Sequence, residues 1–166
     1  RKMIFEDEKQ SKDKRLNFVL HLGDFIYEVT WYAEDNPNGN RGRSIKNLYK
    51  FPQGRKVGNF HLPVTLEDYR TLYRAYLEDP DLQDARARWP FVCVWDNHEF
   101  AWAGYQSQYV AGGAYNAPAQ NQKVFANQAW WEFIPARVSQ PDNPTLEHFN
   151  APVVVDTPME EFNEDG

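Results

Sequence analysis

Two short clusters in this chain combine residue types and spacing suited to holding cations and moving protons. One is Gly23-Asp24-Phe25-Ile26-Tyr27-Glu28 and the other is Asp96-Asn97-His98-Glu99. The two oxygens of Asp24 can bridge a pair of cations, and Tyr27, three residues on, is spaced to bring its phenol to the same cation. An unperturbed tyrosine has a pKa of ~10, so only a strongly acidic metal ionises it near neutrality, and ferric iron is the natural candidate. Asn97 offers a neutral carbonyl oxygen suited to a second, harder cation. Asp96 has three open roles: metal ligand, partner that orients a ligand, or N-cap. His98 can donate a proton to a phosphate oxygen or a leaving group. Two metals ~3.5–4 Å apart would polarise a phosphoryl group and make hydroxide available. They would also place positive charge where negative charge develops.

Each residue also has a plainer reading. Asp24 serves equally as a turn residue after a strand, Asn97 as a turn residue, and Tyr27 as a packed aromatic with a hydrogen-bonded hydroxyl. Glu28 and Glu99 read as residues that orient the two loops. His21 reads as a satisfied core histidine, and His61 and His148 as loop residues. Tyr105, Tyr109 and Tyr115 read as packing, with the lining of a pocket mouth as the alternative.

The elements that must position the clusters follow from local pattern. Phe18-Val19-Leu20-His21-Leu22 is a short apolar run stopped by Gly23, the pattern of a strand buried on both faces in a parallel sheet. Phe91-Val92-Cys93-Val94-Trp95 is a second such run, bounded by Pro90 and Asp96. Residues 29–66 carry dense turn signals and read as one long irregular stretch, of the kind that often forms a lid or binding loop. Thr65 with Asp68 reads as a capping box opening a helix along Leu66, Tyr69, Leu72, Tyr73 and Tyr76. A second short helix starts near Asp79. Residues 100–118 read as loop, residues 120–133 as a helix, and Val153-Val154-Val155 as a possible strand. Residues 1–16 read as a helix end followed by a solvated, charged connection. The order strand, loop, helix, strand is a crossover unit, right-handed if the strands are parallel neighbours. Ligands bind outside the carboxyl ends of such strands, which brings both clusters to one sheet edge.

Composition bounds the rest. The 166 residues suit one domain with a real core, 42% are hydrophobic and 25% charged, and aromatics reach 16% with 6 Trp. A net charge of −6 without a basic patch argues against non-specific nucleic-acid binding. Cys93 is the only cysteine, so no disulfide forms within the chain, and its place inside a strand reads as core. No apolar run approaches a membrane span. The start at Arg1, with no initiator Met or leader, reads as a piece cut from a longer protein.

At these residues the sequence resembles the PhoD-type alkaline phosphatases, a branch of the calcineurin-like metallophosphatases. Phe18 to Glu28 is similar to that family's first block. Thr65-Leu66-Glu67-Asp68-Tyr69-Arg70 with Tyr73 and Asp79-Pro80-Asp81-Leu82 resembles its helical connector. Pro90 to Phe100 resembles its WDDHE-type block, and Asn127 to Pro135 its following helix. Asn97 stands where the family block usually has a second Asp, which removes one negative charge but keeps an oxygen donor.

The resemblance implies an α/β metallophosphatase-like two-sheet sandwich flanked by helices. Residues 1–166 would be a partial domain that lacks its N-terminal and C-terminal parts, including an upstream cysteine block and the downstream ligands. It also implies a dinuclear Fe(III) and Ca(II) site that hydrolyses phosphate monoesters and diesters by activating water. Asp24 would bridge the metals, Tyr27 would bind iron, Asn97 would sit at the second metal, and His98 would be catalytic at the phosphate; Asp96, on its own residue reading, is counted with the metal-site residues. A phosphate-ester substrate and a periplasmic or extracellular location follow from the same likeness. With its shell incomplete, the chain alone is expected to be inactive. Two other readings stand beside this one. The first is a phospholipase D-like phosphodiesterase. The second is a non-enzymatic aromatic module binding a ligand through Trp31, Trp102 and the tyrosines.

Overall fold

The computed structural model describes residues 1–32, 34–35, 50–100, 108–111, 114–134 and 151–155, with backbone alone for 108–111 and 114–118. In chain order these form α1 (Lys2–Glu8), β1 (Val19–His21), β2 (Arg55–Val57), β3 (Phe60–Leu62), α2 (Leu66–Leu77), α3 (Pro80–Arg88), β4 (Phe91–Cys93), β5 (Gln108–Ala111), β6 (Ala114–Pro118) and α4 (Gln120–Phe133). The fold is mixed α/β, with small sheets and helices. No helix among the described residues is long and apolar enough to cross a membrane.

Capping chemistry opens two of the helices. The Thr65 hydroxyl accepts the Asp68 N–H at 3.3 Å while the Asp68 carboxylate accepts the Thr65 N–H at 3.0 Å, which is the expected capping box. Asp79 accepts from Leu82 N–H at 2.9 Å, and Pro80 occupies the first helical position of α3, where its missing N–H costs nothing.

The core lies between α2 and α4. Tyr69, Leu72 and Tyr73 of α2 are fully buried against Ala126, Ala129 and Trp130 of α4. Into this layer drop two residues of the loop after β1, Phe25 and Ile26. Burying side chains of that size stabilises by roughly 1.5–3 kcal/mol each, so these two residues anchor the loop to the helical layer. The ring of Tyr73 stacks on Phe133 with centroids 5.5 Å apart, and on Phe25 at 6.3 Å.

Across the outside of this layer, the Arg70 guanidinium grips Glu132 with two hydrogen bonds of 2.7 Å, and it lies 3.5 Å from Glu67. The Arg70 hydrogen bonds hold the Glu132 carboxyl below its ordinary range. Because the folded-state value is depressed, the pair stabilises the fold above the unfolded carboxylate pKa of ~4.3. That contribution is lost as pH falls through the lower, folded-state value. Arg70→Ala is therefore expected to lower stability by about 0.5–1 kcal/mol at pH 7, the size of a partly solvated pair. The difference from the parent should shrink as the pH is taken below the unfolded carboxylate value and through the lower, folded-state value, read from urea-unfolding curves at pH 7 and along the acid limb.

β1 and β4 are parallel neighbours, with Val19, Leu20 and His21 opposite Phe91, Val92 and Cys93. This confirms the crossover unit, but burial on both faces does not hold. Side chains alternate along a strand. Leu20 and Val92, directly paired, are 55% and 52% exposed, and Leu22 beyond them is 71% exposed. Only the face bearing His21 and Cys93 turns inward, because among the described residues the helical layer covers one side alone.

Three further expectations are corrected. The stretch 29–66 is not one irregular loop, since β2 and β3 form an antiparallel hairpin about Gly58-Asn59, with Gly58 at φ 58°. Within 100–118, β5 and β6 also pair antiparallel. Val153-Val154-Val155 carries no strand.

Candidate functional site

The chain leaves β1 by a sharp bend at two residues in the left-handed region, Gly23 at φ 93° and Asp24 at φ 55°. A Cβ on Gly23 would come within 2.4 Å of the Asp96 Cβ, so glycine is required where the first cluster presses on the second. Asp24 is the one non-glycine residue with positive φ among those described. Aspartate tolerates this region better than most residues, and backbone strain of order 1 kcal/mol or more tends to persist where its surroundings over-determine it.

Glu99 supplies that determination. Its completely buried carboxylate accepts the N–H groups of Asp24 at 3.0 Å, Phe25, Ile26 at 3.3 Å, and Asp96. Three successive N–H groups converging on one anion make a nest, and here the anion is a side chain from the second cluster. One carboxylate therefore clamps both strand ends together.

Above this base the candidate oxygens and nitrogens converge. The Tyr27 hydroxyl donates to Asp24 Oδ2 at 2.9 Å, and the His98 N–H donates to Asp24 Oδ1 at 3.4 Å. The Tyr27 and His98 rings lie 4.0 Å apart at 31°. His98 Nδ1 is 2.6 Å from Oε2 of the fully buried Glu28. The Tyr27 N–H donates to the Tyr76 hydroxyl at 3.0 Å, tying the loop to α2. Asn97, His98 and Glu99 form a short 3-10 turn capped by Asp96, whose Oδ1 accepts the Asn97 N–H at 2.7 Å. Of the three open roles of Asp96, N-capping is the one the fold displays. Asp24, Tyr27 and His98 are thus in direct contact, while Asn97 and Asp96 flank them on the turn.

The donor set suits a cation. Asp24 Oδ2 and the Tyr27 hydroxyl, 2.9 Å apart, have the separation of adjacent ligands on an ion with metal–oxygen bonds of about 2.0–2.2 Å. Among the described residues no group of three or more His, Cys, Asp and Glu could hold a metal by itself. Cys93 packs against the core, and burial pushes its thiol pKa up, away from the thiolate a metal needs.

His21 is less satisfied than its strand position suggests. Its ring meets Phe25 edge-on at 5.3 Å, but its buried Nδ1 has no hydrogen-bond partner among the described residues. Sequence reasoning missed a separate cluster in which Asp35 accepts from Lys56 and lies 2.7 Å from His61 Nε2. The Lys56 and His61 contacts hold the Asp35 carboxyl below its usual range. Nothing in the local sequence pairs residues so far apart. Trp31 packs on Phe60 with ring centroids 5.9 Å apart. Trp102, Tyr105 and His148, and the side chains of Tyr109 and Tyr115, lie outside the described residues.

Comparison with known proteins places this geometry in context. The family model described as PhoD-like phosphatase matches residues 3–151. Alkaline phosphatase D of Bacillus subtilis (strain 168) is 29% identical over 145 residues, covering 85% of this chain and 22% of that protein. A solved structure titled "Structure of PhoD" matches with a TM-score of 0.52 at 28% identity, covering 83% of this chain and 24% of that one. The chain spans less than a quarter of the length of either relative.

Proposed function

Because the chain belongs to the PhoD-like phosphatase family, we propose that it contributes the central part of the active site of a metal-dependent phosphoric ester hydrolase. The observation that carries this reading is the convergence of Asp24, Tyr27 and His98 at the carboxyl ends of a parallel strand pair, seated on two buried glutamates.

In this reading Asp24 and Tyr27 would hold Fe(III), and Asp24, the Asn97 side-chain carbonyl and Asp96 are the residues that would serve a second ion, Ca(II). Carboxylate and phenol are hard oxygen donors, and the neutral Asn97 oxygen suits calcium. When bound, the metal pair supplies Lewis-acid polarisation of the phosphoryl group and acidifies water. His98 moves a proton at a phosphate or leaving-group oxygen. Glu99 holds the two loops in register so that these groups act on one substrate. The remaining ligands come from parts of the polypeptide beyond this chain, consistent with its share of the relatives' length.

The bare apolar face of β1 and β4, bearing Leu20, Leu22 and Val92, supports a two-sheet sandwich flanked by helices. Parallel strands are ordinarily covered on both sides, and an uncovered face of this kind calls for a second layer. That layer would be supplied by the same missing parts. A periplasmic or extracellular enzyme acting on phosphate monoesters and diesters fits this assignment.

The test is made on the complete polypeptide. It is expected to hydrolyse p-nitrophenyl phosphate or its bis-ester, to contain iron, and to show a visible phenolate-to-iron absorption band. Tyr27→Phe should abolish that band and lower the iron content. A colourless, iron-free and fully active enzyme would overturn the assignment of Tyr27.

A further inference from the structure

Glu28 is completely buried, one residue past Tyr27. Its Oε2 lies 2.6 Å from His98 Nδ1, while its Oε1 is buried with no hydrogen-bond partner among the described residues. The contrast with Glu99 is instructive. Glu99 is equally buried, but its carboxylate gathers four backbone N–H groups. A buried carboxylate with half its acceptor capacity unmet opposes folding, so stability alone gives a poor account of a glutamate at position 28.

What Glu28 does do is constrain one imidazole. A carboxylate only accepts, so the ring nitrogen facing it must carry the proton. The same ring lies 4.0 Å from that of Tyr27, and the backbone N–H of His98 donates to Asp24. Ring plane, backbone and tautomer are thereby all held.

We propose that Glu28 is the positioning residue for His98. By accepting from Nδ1 it keeps the ring proton there and makes Nε2 the nitrogen that exchanges protons with a phosphate ester. This rests on the phosphoester reading of His98 given above. When Nε2 gives its proton to the leaving oxygen, neutral His98 remains with its proton on Nδ1. No proton passes to Glu28.

The deciding variant is Glu28→Gln in the complete polypeptide, because it keeps the shape while letting the amide donate to the ring. Replacing the carboxylate behind a catalytic histidine by an amide favours the wrong tautomer with geometry intact. The kcat is expected to fall by about 10–100-fold, the usual size for a partner acting through another group. KM and metal content should stay near the parent's, and the thermal midpoint should be unchanged or raised. Long-range nitrogen–proton NMR on histidine-labelled protein should show the Nδ1–H tautomer at His98 in the parent and its loss in Glu28→Gln. Glu28→Ala should lose kcat at least as far.

Parental kcat together with a retained Nδ1–H tautomer in Glu28→Gln would overturn the proposal. So would a fall in kcat matched only by a loss of folding. His98→Ala separates the two levels. If it keeps parental activity, the phosphoester role of His98 fails and the positioning role fails with it. If it is inactive while Glu28→Gln is unaffected, only the positioning role fails.

Discussion

Glu99→Ala is expected to destabilise the protein by about 3–5 kcal/mol, far more than an ordinary surface change. Its carboxylate is completely buried and takes hydrogen bonds from Asp24, Phe25, Ile26 and Asp96. Each buried N–H left without a partner costs about 1–3 kcal/mol. Water entering the space left by the side chain would recover part of this, which sets the estimate below the simple sum. The loss should appear in urea or thermal unfolding as a lower midpoint. In the complete polypeptide it should be accompanied by loss of activity, because the loop carrying Asp24 and Tyr27 would no longer be tied to the turn carrying Asn97 and His98. Glu99→Gln should fall between the two, since it keeps one acceptor but turns an amide donor toward backbone donors. A change below about 1 kcal/mol in Glu99→Ala would show that the two clusters are held together by other means.

Asp24→Asn addresses the chemistry with little disturbance to the fold. Asparagine is enriched at positive φ, so it can occupy the bend at φ 55°, and its oxygen can still accept from Tyr27 or His98. What it removes is the charge that would hold cations. In the complete polypeptide kcat/KM is expected to drop on the order of 10³-fold, equivalent to about 4 kcal/mol of transition-state stabilisation. Bound metal should fall in parallel, while stability stays within about 0.5 kcal/mol of the parent. Full metal occupancy with near-parental kcat/KM would remove Asp24 from the site. Together the two substitutions separate a carboxylate that holds the loops from one proposed to act in the chemistry.

Much of the frame is legible in residue order. Thr65 with Asp68, and Asp79 with Pro80, specify two helix starts because capping is decided within four residues of chain. Gly23 after an apolar run, and Asp96 after another, mark two strand ends, and parallel pairing then places both clusters together. The hairpin of β2 and β3 was harder to read. A two-residue Gly58-Asn59 turn is a hairpin signal. The strands on either side, however, are three residues long and partly charged, too short to show a period of two. Cover of the β1 and β4 faces is not legible for the opposite reason. An apolar run reports that a face requires burial, not which segment provides it.

By itself, then, the sequence determined which chemical groups stand at the two strand ends, because residue type and local spacing are properties of the chain. Only the tertiary structure decided the division of labour among the carboxylates. Glu28 and Glu99 are acidic residues of the same clusters as Asp24 and Asp96. Yet the two glutamates are completely buried, one holding an imidazole and the other a nest of N–H groups, while the aspartates remain accessible. The glutamates' neighbours in the chain, Phe25, Ile26 and Phe100, are buried in the same core cluster as Tyr69, Tyr73 and Trp130, which draws this part of each loop inward. Burial depends on packing between residues distant in the chain, and no local pattern encodes it.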